Sequence, residues 1–78
     1  MYMDMSITNM LNERYGRLIS LGCANFFETW RHYGFEKARE GISQRTYYNY
    51  LEMLVAVELV LNPRYGVYEI APAWVLDK

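Results

Sequence analysis

From Ser6 onward the apolar residues Ile7, Met10, Leu11, Tyr15, Leu18, Ile19 and Leu21 recur at spacings of three and four, the stripe of an amphipathic helix. Ser6 stands where an N-cap belongs, and the pattern predicts a helix over 6–22. Gly16 and Gly22 both weaken it. Gly22 is positioned to end it, with "CANFFETWRHYG" following as a second helix over 24–33 or as a bent extension. Gly34 is the next stop, and "FEKAREG" reads as a short helix over 35–40 with Phe35 and Ala38 inward and its charges outward. "EGIS" then reads as a tight turn in which Ile42 is the apolar pin and Ser43 the opening of the next helix.

That helix, 43–58, carries the strongest pattern in the chain. Tyr47, Tyr50, Leu51, Leu54, Val55 and Glu58 lie near one side; Gln44, Arg45, Tyr48, Asn49 and Glu52 gather on the other. Tyr47 and Tyr50 are expected in the core and Tyr48 on the surface. Beyond it, "ELVLN" and "GVYEIA" alternate as strands do, and "PRYG" between them supplies turn residues. A hairpin is predicted over 59–71 with its tip at Asn62–Gly66, followed by a tail, 72–78, whose Trp74 packs back onto the helices. The fold class is mainly α with a small β-hairpin.

Composition sharpens this picture in three ways. At 78 residues the chain has room for one small domain, and 53% hydrophobic with 17% aromatic residues calls for a packed core. With no disulfide or zinc pattern to staple so small a core, a homodimer is the expected way to finish burying apolar surface, through the first helix, the Met-rich start (Met1, Met3, Met5, Met10) and the Trp74 tail. Cys23 is the single cysteine and sits in an apolar stretch without a basic neighbourhood, so it reads as a small buried hydrophobe. The N-terminus lacks the basic and long apolar regions of a signal peptide and no run approaches a membrane span, which points to a cytoplasmic protein.

Helix, short helix, tight turn, polar-faced helix and hairpin, in this order, resemble a winged helix-turn-helix domain. The resemblance covers 6–71 and is most specific in "GISQRTYYNYLEMLVAVELVLNPRYGVYEI", which looks like the recognition helix and wing of small bacterial and archaeal transcription regulators. It implies sequence-specific binding to double-stranded DNA, with 43–58 in the major groove and the hairpin tip on the backbone or minor groove. Ser43 and Thr46 are then phosphate contacts at a helix N-terminus, and Gln44, Arg45 and Asn49 are the side-chain types that pair with base edges. Tyr48 offers a hydroxyl to phosphate or a ring to a thymine methyl. Arg64 and Tyr65 at the hairpin tip, and Lys37 and Arg39 on the short helix, complete the expected contact set.

Charge weighs against this reading. Eight Lys and Arg against nine Asp and Glu give a net charge of -1, whereas phosphate neutralisation supplies much of the affinity of a DNA-binding domain. The basic residues Arg31, His32, Lys37, Arg39, Arg45 and Arg64 form only a modest face, diluted by Glu36 and Glu40, and Glu58 stands where such domains often have glycine before the wing. A winged-helix protein-interaction module without DNA is therefore the alternative. No catalytic set, phosphate loop, cofactor motif or small-molecule site is evident, and His32 has no second ligand at metal spacing.

Overall fold

Gly16 divides the first predicted helix in two. The computed structural model describes residues 5–76, and side chains from residue 7 onward. Within it α1 runs Met5–Tyr15 and α2 runs Arg17–Tyr33, with Gly16 between them at φ 90°, a left-handed value that a side chain would strain. Ser6 thus lies inside α1, not at its cap.

Gly22, expected as a terminus, sits within α2 because the helix needs its bare face there. A Cβ at this position would stand 2.5 Å from the Tyr50 hydroxyl of the helix packed across it. Moving the break from 22 to 16 also re-aims the apolar stripe. Ile7 and Leu11 remain buried, but Leu18 is 88% exposed and Ile19 and Leu21 are exposed with it. The buried face of α2 is instead Cys23, Ala24, Phe26, Phe27 and Trp30. Met10 packs against the core; Met1, Met3 and the side chain of Met5 lie outside the described residues.

Two further helices complete the helical part, α3 (Phe35–Arg39) and α4 (Gln44–Ala56). Helix α2 packs against α1, α3 and α4, and so runs through the middle of the core. Phe26 meets Trp30, Phe35 and Tyr50 at centroid separations of 6.1, 6.1 and 5.5 Å, the tilted and edge-on geometries that aromatic quadrupoles favour. Leu51 and Leu54 of α4 enter this cluster fully buried, while Tyr47 and Tyr50 pack on it only half-buried. The thiol of Cys23 donates to the Tyr50 carbonyl at 3.7 Å, and burial pushes its pKa up to about 12.

Helix α4 ends two residues before the predicted boundary, at Ala56. The Leu59 amide donates to the Leu54 carbonyl at 3.0 Å and the Glu58 amide to that of Val55 at 3.0 Å, the paired bonds of a Schellman motif. Glu58 occupies its left-handed position at φ 66°, and Leu59, the next residue, is fully buried. A glutamate therefore does the conformational work for which glycine is usual.

The antiparallel hairpin follows, β1 (Val60–Arg64) against β2 (Val67–Ile70), paired Val60↔Ile70, Leu61↔Glu69 and Arg64↔Val67 with an irregularity between Leu61 and Arg64. The Ala71 amide closes its base on the Leu59 carbonyl at 2.9 Å. Its tip is narrower than predicted: Asn62, Pro63 and Arg64 belong to β1, and Tyr65 and Gly66 alone make the turn. The Asn62 side-chain amide (Nδ2) donates to the Arg64 carbonyl at 2.7 Å and the Val67 carbonyl at 2.6 Å, which ties the two strands together beneath that turn.

After a short 3-10 turn, Pro72–Trp74, the tail lies along α2 as expected. There Arg31 Nε donates to the Trp74 carbonyl at 2.8 Å, its guanidinium lies over the Phe27 and Trp74 rings, and it forms an ion pair with Glu28. Both side chains of that pair are more than nine-tenths buried. No helix among the described residues is long and apolar enough to cross a membrane.

Candidate nucleic-acid interface

The turn into α4 forms as its sequence demands. Ser43, at φ -65° and ψ 153°, accepts from the Thr46 amide at 3.2 Å, satisfying one of the donors that a helix start leaves open. The Ser43 hydroxyl in turn donates to Thr46 Oγ1 at 2.9 Å. The Ser43 proton is thereby used within the cap, and the Thr46 hydroxyl keeps its own proton for an outside acceptor.

Gln44, Arg45, Tyr48 and Asn49 are all exposed near the start of α4, whereas Leu51 and Leu54 further along it are buried. They form one strip over the first turn and a half of the helix. Neither amide, nor the Arg45 guanidinium, has a protein partner among the described residues, so their donors and acceptors face outward. Tyr48 is 43% exposed and stacks on Tyr47 at 4.9 Å with an interplanar angle of 29°. That contact fixes the ring and leaves its outer edge open.

At the other end of the set, Arg64 is exposed and Tyr65 fully so, both carried by the braced hairpin turn. On α3, Lys37 pairs with Glu40 at 3.4 Å across solvent, an interaction worth little, and Arg39 lies with its guanidinium 5.5 Å from the Tyr47 centroid. Arg31 is removed from the basic face, because burial against Phe27, Glu28 and Trp74 makes it part of the core.

A cleft of about 360 Å³ joins these parts, and nothing in the sequence indicated it. Its walls are Arg39 and Phe35 from α3, Tyr47 and Tyr48 from α4, and Tyr68 from β2, with Trp30 and Leu51 at its floor and Gly66 at its rim. It brings α3, Tyr48 of the exposed α4 strip and the hairpin turn to a common surface. Phe35 and Tyr48 are spaced thirteen residues apart and Tyr68 a further twenty, so only the folded topology assembles them. Among the described residues no group of His, Cys, Asp and Glu could hold a metal ion.

Comparison of the chain with protein-family models, with curated proteins and with solved structures finds no match.

Proposed function

We propose that the chain is a winged helix-turn-helix protein that binds double-stranded DNA, with α4 in the major groove and the Tyr65–Gly66 turn against the backbone or minor groove. One observation carries this reading: the strip Gln44, Arg45, Tyr48 and Asn49 is exposed and unengaged with other polar groups, directly after a side-chain cap and beside a braced hairpin. Gln and Asn present paired donors and acceptors to adenine, Arg a fork to guanine, and each good bidentate contact discriminates by roughly 1–3 kcal/mol. Thr46, Lys37, Arg39 and Arg64 supply phosphate contacts around that strip. A transcriptional regulator acting as a homodimer is the simplest biological form. Such a homodimer would read two half-sites about one DNA turn, ~34 Å, apart.

A duplex selected from random DNA, titrated by fluorescence anisotropy at two salt concentrations, tests the reading. Affinity that falls steeply with salt is expected, with Arg45→Ala and Gln44→Ala each abolishing preference for the selected sequence while circular dichroism and thermal melting stay unchanged. Unaltered affinity in both variants would sink it.

A second reading, a protein-interaction module of the same architecture, draws on the burial of Arg31, which reduces an already modest basic face, and on the exposed Tyr33, Tyr48 and Tyr65. Tyrosine is enriched at protein interfaces. Absence of binding to any duplex at about 50 mM salt favours it, since nonspecific phosphate attraction is strongest there.

A further inference from the structure

We propose that the cleft between α4 and the hairpin binds a small planar aromatic anion. Its volume of about 360 Å³ falls within the range of small-molecule sites, roughly 300–1,000 Å³. The shape of what fits is set by the walls. Tyr47, Tyr48, Phe35, Tyr68 and Trp30 present ring faces and edges, and a flat π-system is the partner that such a lining holds best. Tyr47 and Tyr48 are already stacked, so a ligand ring can extend that stack without reorganising it.

The sign of the charge follows from Arg39. It is the single charged side chain in the lining, and its guanidinium lies against the Tyr47 ring with no carboxylate paired to it among the described residues. A guanidinium resting on one ring keeps its edge donors, which match a carboxylate or phosphate in a bidentate fork. The ligand's anion meets Arg39 and its ring meets the tyrosines. Access is open, because Gly66 at the rim carries no side chain and the space where one would project is empty. The inference goes beyond duplex binding and does not depend on it, since every element of the site belongs to the free chain.

Nitrogen-15 NMR titrations of the whole chain, without DNA, test the site with three probes. Indole-3-acetate has the ring and the anion, tryptamine the ring with a cation, and cyclohexanecarboxylate the anion without the aromatic ring. Saturable shifts at Phe35, Arg39, Tyr47, Tyr48, Gly66 and Tyr68 are expected with indole-3-acetate, and binding at least about tenfold weaker with the other two. Arg39→Gln should weaken indole-3-acetate about tenfold and erase its advantage over tryptamine. Arg17→Gln removes the same charge at an exposed position outside the lining and should leave indole-3-acetate binding unchanged. No saturation by about 10 mM, shifts centred elsewhere, equal binding of tryptamine, or equal loss in the Arg17 variant would each overturn the proposal.

Discussion

Glu58 holds a backbone conformation that its own side chain opposes. At φ 66° the Cβ crowds the following carbonyl, a strain of roughly 1–2 kcal/mol for a residue other than glycine, and the Schellman bonds from Glu58 and Leu59 hold it there. Glu58→Gly should therefore stabilise the fold by about 1 kcal/mol, part of the relief being offset by the greater freedom of glycine when unfolded. Urea denaturation gives the answer, and a midpoint that falls would mean that the Glu58 side chain contributes more than the strain removes. The thiol of Cys23 illustrates the opposite case at the same scale, a residue whose surroundings suit it: buried, and held neutral by burial.

Between elements, the contact of Gly22 with Tyr50 decides how closely α2 and α4 approach. The Tyr50 ring is held against Phe26, so it cannot swing aside freely to admit a methyl group at 22. Alanine at this position gains about 1 kcal/mol in helix propensity yet meets the Tyr50 hydroxyl, and overpacking of this kind costs about 1–3 kcal/mol. Gly22→Ala should then destabilise the wild type but be close to neutral in a Tyr50→Phe background, where the nearest ring carbon is 3.3 Å away. A double-mutant cycle showing simple additivity would rule out that coupling. The same pair explains what was legible in the sequence. The Ser43 cap, the turn before it and the polar strip of α4 are written in residues a few positions apart, and they stand as read. The sequence pattern puts the helix break at Gly22 and the chain breaks at Gly16, because the reason to keep Gly22 helical lies in a hydroxyl 28 positions away. The cleft was invisible for the same cause: its rings come from three helices and a strand.

Across the whole molecule, Arg31 ties the end of the described chain to its central helix. Its hydrogen bond to the Trp74 carbonyl spans 43 positions, and its guanidinium fills the space between the Phe27 and Trp74 rings. Arg31→Ala removes a charge-assisted bond in a buried setting together with that packing, so a loss of roughly 3 kcal/mol is expected, accompanied by faster proteolysis beyond Ala71. A stability change within 0.5 kcal/mol or so, the usual range for a surface substitution, would show that the tail is held by other means. Arg31 and Glu28 are buried together, so setting the pair aside leaves the net charge of the remaining sequence at -1. What changes is location, since the remaining cations near α4 are Lys37, Arg39, Arg45 and Arg64. Leu18, Ile19 and Leu21, meanwhile, stand exposed on α2.

The two bonds from the Asn62 amide bear on the entropy of any encounter at the hairpin turn. Because Asn62 grips the carbonyls of both Arg64 and Val67, the backbone beneath Tyr65 is ordered before a partner arrives. Immobilising a side chain at an interface costs about 0.5–1.5 kcal/mol, and here that charge falls on the Arg64 and Tyr65 side chains without an added share for folding the loop. A turn that is rigid in the free chain surrenders little freedom on contact, so even the few atoms at its tip can contribute to affinity.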